Sequence, residues 1–340
     1  MRMLTTRLKK WELLRRCVRA VRSAKSAARG AWITYSKKGN LPYALNADYT
    51  FEDRRSCFES VLLILAGYKQ PLWNCVLGRV KKFIPPNLDV CIVLSGTDND
   101  HLKMVGRSNG WSYLAVNRNN VCLAQNVAIH LHPDARWIYK IDEDMFLCEG
   151  FFERLRYAYE TAPTVHRIDV GFCAPLIPVN GYGHVRILKR TGLVDLWEKQ
   201  FGPLFHTEGL HRYTAIQKDI RAAEFMWGDG IPALSSIDSL NEMLCHSAQS
   251  CLTTICPHRF SIGAILFERT TWEDFGMFPV SLAGTDLGHD EQHFCQYCMM
   301  HSKAIVVAEN AVAGHLGFGP QTAGMLDYFK MHPDVFSINS

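Results

Sequence analysis

Three consecutive carboxylates, Asp142, Glu143 and Asp144, follow a short apolar and aromatic run at residues 137–141. The run has the composition of a β-strand, so we expect the acids at the carboxyl end of a strand, where open α/β sheets bind ligands. Because side chains two residues apart point the same way in an extended backbone, Asp142 and Asp144 should converge while Glu143 faces elsewhere. Paired carboxylates suit Mg²⁺ or Mn²⁺, and a solvated acidic turn is an equal alternative for the tripeptide alone.

A second group of polar side chains lies where a helix is predicted to begin, near residue 290. His289 and His293 are four residues apart, a spacing that could hold zinc on a helix. Zinc proteases with this spacing have Glu directly after the first histidine, whereas here Asp290 occupies that position and Glu291 follows it. A zinc hydrolase that uses His289 and His293 is therefore the less favoured interpretation.

The elements that would position the acids alternate regularly between residues 58 and 150. Apolar, strand-forming segments alternate with helical segments over short connections, which is typical of a doubly wound α/β fold. We therefore predict an α/β class, with a Rossmann-like, mostly parallel sheet flanked by helices. The predicted strands are 60–66, 90–95, 111–116 and 137–141, and the predicted helices are 71–83, 101–107 and 121–130.

The sequence contains no glycine-rich phosphate loop. The first predicted strand is followed by Gly67-Tyr68-Lys69-Gln70-Pro71, and neither G-x-G-x-x-G nor G-x-x-x-x-G-K-[ST] occurs in the chain. The phosphates of a bound nucleotide would therefore need a cation, which the paired aspartates can hold.

The second half of the chain has a less regular pattern. An insertion at 184–258 mixes helical stretches with glycine- and proline-containing breaks and is expected to shape a binding surface. The remaining predicted helices are 150–161, 193–201, 213–226, 237–247, 271–275 and 290–301, and the remaining strands are 170–177, 261–267 and 303–308.

The composition is that of an ordinary globular protein. The chain has 340 residues, of which 48% are hydrophobic and 21% charged, so it can bury a large core and is not disordered. Its 12 cysteines are too dilute for a small disulfide scaffold, and most lie in apolar surroundings. We therefore expect reduced core thiols in a cytoplasmic protein, and no secretory signal is recognised.

Positive charge is concentrated near the N-terminus. Residues 1–38 hold 12 Lys/Arg and the single acid Glu12, a net charge of +11, although the whole chain carries +4. Apolar residues recur every three or four positions within residues 1–30, which predicts a basic amphipathic helix. This helix could bind an anionic membrane surface, and a docking helix for an acidic partner or a solvated helix is an equal alternative. Nucleic acid binding is less favoured, because no recognised motif follows.

In order and spacing, the polar residues at the predicted strand ends resemble those of the GT-A glycosyltransferases, specifically the inverting "family two" group. The resemblance covers about residues 58–318, and the insertion is its least similar part. The residues that carry it are Gly67-Tyr68-Lys69, Ser95-Gly96-Thr97-Asp98, Asn119-Asn120, Ala124-Gln125-Asn126, Asp142-Glu143-Asp144 as the DxD motif, Gly288-His289-Asp290-Glu291 and His315.

The resemblance implies a role for several of these residues. Asp98 would contact the nucleotide base, and Asp142 the ribose or sugar. Asp144 would bind the metal that bridges the diphosphate, with Asp142 and His315 as further candidate ligands. The remaining donor-binding residues would be Tyr68, Asn119, Asn120 and Asn126.

The same resemblance implies that Asp290 is the general base on the acceptor hydroxyl. The family usually has an acidic residue before this aspartate, whereas His289 stands there, which leaves both Asp290 and Glu291 as candidate bases. Gln125 stands where an arginine is common, so a cation expected near the donor is missing.

Taken together, these features predict a metal-dependent glycosyltransferase with Mn²⁺ or Mg²⁺ as cofactor. It would transfer a sugar, with inversion, from a nucleotide-diphosphate sugar to a hydroxyl of a glycan or lipid-linked acceptor. Only the resemblance to the family favours UDP as the nucleotide. A catalytically inactive GT-A-like scaffold at the membrane is the alternative. Weaker candidates for the acceptor side are Tyr182, Trp227 and Asp229, of which the aromatic residues could equally belong to the core.

The predicted organisation has three parts. Residues 1–50 would form the basic helix and a connector, 51–320 the glycosyltransferase domain, and 321–340 a C-terminal tail. The domain would consist of a nucleotide-binding half, 58–150, and an acceptor half, 151–320. We expect a cytoplasmic protein, peripheral on the cytoplasmic face of a membrane.

Overall fold

The computed structural model describes residues 43–206, 214–246 and 252–338, and the chain divides into two compact units between Asn46 and Ala47. In the first unit, the described residues form one 3₁₀ turn, Tyr43–Leu45. The predicted basic helix at 1–30 lies outside the described residues. In the part of the chain that is described, no helix combines the length and apolar character needed to span a membrane.

The second unit is organised around one mixed sheet. The strands are β1 (Tyr49–Glu52), β2 (Ser60–Ala66), β3 (Asp89–Ser95), β4 (Ser112–Val116), β5 (Trp137–Asp142), β6 (Met145–Leu147), β7 (Asp169–Leu176), β8 (Thr253–Ile255), β9 (Ala264–Glu268) and β10 (Lys303–His315). Their order in the sheet is β1-β4-β3-β2-β5-β9-β7-β10-β6, with β8 paired to β10. Parallel ladders join β4, β3, β2 and β5, and another joins β7 to β10, whereas β9 runs antiparallel between β5 and β7.

Helices pack against this sheet, and the predicted α/β class is confirmed. The helices are α1 (Trp73–Phe83), α2 (Asp100–Asn109), α3 (Val121–Leu131), α4 (Phe151–His166), α5 (Gly183–Thr191), α6 (Val194–Phe201), α7 (Thr214–Lys218), α8 (Ile220–Met226), α9 (Ile237–His246), α10 (Arg269–Asp274), α11 (His289–Met300), α12 (Thr322–Met331) and α13 (Pro333–Phe336). Among the described residues, α6 to α9 fall within the predicted insertion of 184–258, and α5 begins one residue before it.

The central strands are buried on both faces. Val61, Leu62, Leu63 and Ile64 of β2 are successive residues that are each at most 1% exposed. This burial explains why β2 is a continuous apolar run rather than an alternating one. The ten cysteines of the described residues are free thiols, and most are buried.

The predicted tail at 321–340 is instead partly helical and packed. Arg79 of α1 is fully buried and donates hydrogen bonds to the carbonyl oxygens of Leu147, Phe336 and Ser337. Its guanidinium also makes two hydrogen bonds, of 2.8 and 2.9 Å, to the carboxylate of Asp238. One buried cation thus ties the C-terminal residues to α1 and α9, which the sequence pattern did not indicate.

Candidate functional site

A cavity of about 520 Å³ opens where the carboxyl ends of the parallel strands meet. The register of the ladder between β2 and β5 pairs Leu65 with Asp142, so the loop after β2 runs beside the acidic cluster. The polar residues that line the cavity are Tyr68, Lys69, Ser95, Asn119, Lys140, Asp142, Glu143, Asp144, Ser261, Thr285, Asp290 and Glu291.

Glu143 also lines the cavity, but its carboxylate binds the loop that follows β2. Its carboxylate accepts hydrogen bonds from the backbone N–H groups of Gly67 and Tyr68 at 2.9 and 3.0 Å. It also accepts a 2.6 Å hydrogen bond from the indole N–H of Trp73. The middle acid of the cluster therefore holds the loop between β2 and α1 against the end of β5.

Asp144 is almost completely buried and carries two basic partners. Its Oδ2 accepts a hydrogen bond from the Lys69 ammonium and lies 3.5 Å from Nε2 of His315. Burial alone would raise the pKa of Asp144, but His315 and Lys69 outweigh it and hold this pKa well below its usual value. Burial likewise opposes a charge on His315, and the Asp144 carboxylate reverses that effect and raises the pKa of His315.

His315 reaches Asp144 because of how β10 ends. The ladder between β6 and β10 pairs His315 with Met145, directly after the acidic cluster. Nδ1 of His315 is 2.9 Å from the carbonyl oxygen of Val179, so that ring nitrogen donates and Nε2 faces Asp144. Trp227 supports this strand end, since its indole N–H donates to the carbonyl oxygens of His315 and Leu316 at 3.0 and 3.1 Å.

Asp142 faces the cavity and pairs with a lysine of its own strand. The Lys140 ammonium is 2.7 Å from its Oδ1 and donates a 2.8 Å hydrogen bond to the carbonyl oxygen of Ile262. Burial raises the pKa of Asp142, and the nearby Lys140 opposes this rise. The Asp142 side chain remains 39% exposed toward the cavity, whereas that of Asp144 is only 4% exposed.

The cavity is also lined by the two acids at the start of α11, Asp290 and Glu291. Asp290 accepts a 2.8 Å hydrogen bond from the side-chain amide of Gln125, a neutral partner. Glu291 instead pairs with the Arg259 guanidinium. Burial raises the pKa of Glu291, and Arg259 opposes this rise. The two adjacent acids are thus distinguished by their partners.

Tyr68, Ser95 and Asn119 form a third wall. The Tyr68 hydroxyl donates to the carbonyl oxygen of Ser95 and lies 3.2 Å from Oδ1 of Asn119, so its ring spans the ends of β2 and β3. Gly96 allows this close approach, because a Cβ there would lie 2.3 Å from Cβ of Asn119 and its φ is +71°. The 63% exposed Tyr68 side chain offers an aromatic face.

Three of the residues predicted to bind the donor do not line this cavity. Asp98 accepts a hydrogen bond from the Tyr113 hydroxyl and pairs with Lys103 on the outer surface of the unit. Asn120 caps α3 by accepting from the Leu123 N–H.

Asn126 is the third of these residues, and it is fully buried. Its side-chain oxygen accepts from the indole of Trp272 and from the Phe278 N–H, at 3.0 and 2.9 Å. Its amide therefore joins α3 to the segment after α10, and its predicted contact with a nucleotide stays a prediction.

The weaker acceptor candidates also lie elsewhere. Tyr182 is 5% exposed and its hydroxyl donates to Thr254 at 3.0 Å. Trp227 is 2% exposed and bonded to the end of β10, as described above. Asp229 is not among the cavity residues. Burial of the two aromatic rings favours the core interpretation over sugar binding.

The histidines considered for zinc have separate surroundings. Nδ1 of His289 is 3.3 Å from Asp286, and His293 packs edge-on against the ring of Phe275. Cys295 and Cys298 are buried thiols. Within residues 43–206, 214–246 and 252–338, no three His, Cys, Asp or Glu side chains form a ready-made metal cage.

A divalent cation fits the cavity only with help from a ligand. Asp144 and His315 offer an oxygen and a nitrogen donor 3.5 Å apart, and Asp142 adds a second carboxylate on the same wall. This donor set suits Mn²⁺, whose remaining positions would be filled by phosphate oxygens and water.

Lys69 and Lys140 were not predicted as site residues. Both lysines directly contact the acids, and Lys140 is only 2% exposed. Lys140 could have been found from the sequence, because a lysine inside a buried strand two residues before Asp142 must face the same side. Lys69 gave a weaker signal, as the third residue after a strand that ends at the same edge.

Solved structures similar to this chain include three whose names give ligands. GalNAc-T7 with UDP, GalNAc and Mn²⁺ is 11% identical, with a TM-score of 0.44, and the match covers 77% of this chain and 45% of that one. A mannosyltransferase from Pyrobaculum calidifontis in complex with GDP-Man and Mn²⁺ is 15% identical, with a TM-score of 0.44 and coverages of 90% and 69%.

Glucosyl-3-phosphoglycerate synthase from Mycobacterium tuberculosis, in complex with Mn²⁺, UDP and glucosyl-3-phosphoglycerate, is 11% identical, with a TM-score of 0.38 and coverages of 83% and 82%. This chain thus spans less than half of the first of the three. No protein-family model and no curated protein matches the sequence.

Proposed function

We propose that this protein is a metal-dependent GT-A-type glycosyltransferase that transfers a sugar from a nucleotide-diphosphate sugar to an acceptor hydroxyl. One observation carries the proposal: Asp142, Asp144 and Asp290 line a single cavity at the carboxyl ends of parallel strands. A metal-and-donor site that shares a cavity with a candidate base is the arrangement that this transfer requires.

The donor would lie along the strand ends. The aromatic face of Tyr68 and the side chain of Asn119 would contact the nucleoside, and Asp142 the ribose or sugar. Asp144 and His315, joined by Asp142, would hold Mn²⁺ or Mg²⁺. When bound, this cation would stabilise the negative charge that develops on the departing diphosphate.

Asp290 is the better candidate for the general base. Its partner, Gln125, is neutral, so no cation of that residue competes with the acceptor hydroxyl for the carboxylate. Glu291 is neutralised by Arg259, which favours a structural role. A base that acts directly on the acceptor supports inversion at the anomeric carbon.

The acceptor would be a glycan or a lipid-linked sugar. Leu287 is 82% exposed and lines the cavity. An apolar side chain in this position is compatible with an acceptor that has an apolar part. Residues 1–30 would bring the enzyme to the cytoplasmic face of an anionic membrane. Buried free thiols support a reducing compartment.

A screen by thermal shift tests the donor site. Candidate nucleotide sugars are added with Mn²⁺, and UDP and GDP serve as first probes. A ligand that binds the folded state raises the melting temperature by mass action. The same ligand should give no shift with Asp144→Asn, and a wild type that responds to no nucleotide would exclude the proposed function.

The rate of turnover tests whether Asp290 is the general base. With the donor found, Asp290→Asn should lower the rate of diphosphate release by about 10²–10⁴-fold and leave donor binding intact. Asp327→Asn, which changes an exposed carboxylate paired with Lys330, is the matched control. Donor binding without turnover in the wild type would favour the inactive scaffold.

A further inference from the structure

Lys69 contacts the Asp144 oxygen that lies nearest to His315, where a metal ion held by both residues would bind. Its ammonium donates to Oδ2 of Asp144, and Nε2 of His315 approaches that same oxygen at 3.5 Å. A divalent cation bound by Asp144 and His315 together would lie beside this oxygen. Because two cations repel each other at such a distance, the ammonium and the metal exclude one another.

The backbone near Lys69 is held firmly, whereas its side chain has room to move. Glu143 accepts hydrogen bonds from Gly67 and Tyr68, and the carbonyl oxygen of Lys69 accepts one of 3.0 Å from the Leu72 N–H. The Lys69 side chain lines the cavity and is 29% exposed, although Asp144 is only 4% exposed. A four-carbon stem on a fixed base can therefore swing its charge from Asp144 into the cavity.

A nucleoside diphosphate would reverse the balance of charge in the cavity. Without it, the acids Asp142, Asp144 and Glu143 each have their own partner, two of which are the lysines Lys69 and Lys140. A diphosphate adds negative charge at the cavity wall, which can take up both the metal and the displaced ammonium.

We propose that Lys69 is a tethered counter-cation that blocks the metal site in the nucleotide-free protein and moves onto the diphosphate when nucleotide and metal bind together. The proposal rests on the donor site proposed above and adds a positioning residue to it. It makes metal and nucleotide binding interdependent, since each is favoured by the presence of the other.

The experiment measures free Mn²⁺ by electron paramagnetic resonance and nucleotide binding by calorimetry. The full-length wild type is compared with Lys69→Met, Lys69→Arg and Lys330→Met. Lys330→Met removes an exposed lysine that pairs with Asp327 and is the matched control. Circular dichroism and melting temperature verify that each variant is folded.

Lys69→Met should bind Mn²⁺ about tenfold more tightly than the wild type when no nucleotide is present, because a charge-assisted contact to Asp144 is gone. At saturating Mn²⁺, the same variant should bind UDP or GDP about tenfold more weakly, because the diphosphate has lost a cation. Lys69→Arg should keep the weak Mn²⁺ binding of the wild type, and Lys330→Met should change neither affinity.

Two results would overturn the proposal, and they distinguish the role of Lys69 from the donor site itself. An unchanged Mn²⁺ affinity in Lys69→Met, with UDP or GDP still binding to the wild type, would exclude the role of Lys69 alone. Failure of the wild type to bind either nucleotide at any Mn²⁺ concentration would exclude the donor site and the role of Lys69 with it.

Discussion

The indole N–H of Trp73 donates a 2.6 Å hydrogen bond to the carboxylate of Glu143, a residue 70 positions later in the chain. The same carboxylate accepts the backbone N–H groups of Gly67 and Tyr68. Glu143 lies between Asp142 and Asp144 in the sequence and thus fixes the loop that carries Tyr68 and Lys69. Its replacement should therefore lower the stability of the fold more than it weakens ligand binding.

Replacement of Glu143 tests this role. Glu143→Leu leaves the Trp73 indole and the loop amides without an acceptor, and should lower the free energy of unfolding by about 1–3 kcal/mol. Glu143→Gln keeps one acceptor oxygen and should lose less. Urea unfolding of the two variants and the wild type gives the comparison, and a Glu143→Leu variant as stable as the wild type would contradict the assignment.

The pair of His315 and Asp144 should make stability depend on pH. The pKa of His315 is raised in the folded protein, so its stabilising contribution is full below its ordinary value of 6.5 and is lost as pH rises through the raised pKa. The pKa of Asp144 is lowered, so its contribution is present above its ordinary value of 3.8 and is lost as pH falls through the lowered pKa.

His315→Gln is the variant that reveals this dependence. Without added metal, the melting temperature of the wild type should exceed that of the variant most at about pH 5–6, and the difference should shrink toward about pH 9. A difference that stays constant across this range would show that the imidazole contributes by packing alone.

Gln125 should position Asp290, to which it donates a 2.8 Å hydrogen bond. Gln125→Leu removes this hydrogen bond and should lower kcat by about tenfold while donor binding is kept, because one neutral hydrogen bond holds the carboxylate in place. Gln125→Glu replaces the donor with a second carboxylate and should lower kcat further, because the two negative charges repel each other. Steady-state kinetics of the two variants give the comparison, and a Gln125→Leu variant with the kcat of the wild type would contradict this role.

Arg79 should be among the most sensitive positions for stability. Arg79→Met leaves the carboxylate of Asp238 and three carbonyl oxygens without their donor, and should cost about 3–5 kcal/mol in urea unfolding. The exposed Arg221, which pairs with Asp219 on the surface, is the matched control, and Arg221→Met should cost less than about 1 kcal/mol. Similar costs for the two variants would contradict the proposed attachment of the C-terminal residues.

The first half of the fold could be predicted closely from sequence. The strands β2 to β5 and the helices between them have continuous apolar runs and clear breaks, so local signals suffice. The short strand β1 was not predicted, because its 4 residues are half-exposed and pair only at the sheet edge. Helices α5, α12 and α13 were not predicted either, because local patterns are weak near the insertion and in the tail.

The end of the chain shows a further limit of local patterns. The last strand was predicted at 303–308, whereas β10 continues to His315. Its second part contains the small residues Ala311, Ala313 and Gly314, which have low strand propensity. The strand exists there because β6 pairs with it, and an added Cβ at Gly314 would lie 2.4 Å from the ring of Trp227.

The sequence alone determined which acids stand at the strand ends, because strand composition, alternation of side chains and chain breaks are local properties. Only the tertiary structure decided which partner each acid has. Lys69 meets Asp144, Gln125 meets Asp290 and Arg259 meets Glu291 across 75, 165 and 32 residues of chain. These pairs depend on the strand order, including the positions of β9 and β10 in the sheet. The strand order is set by the packing of distant segments into one core.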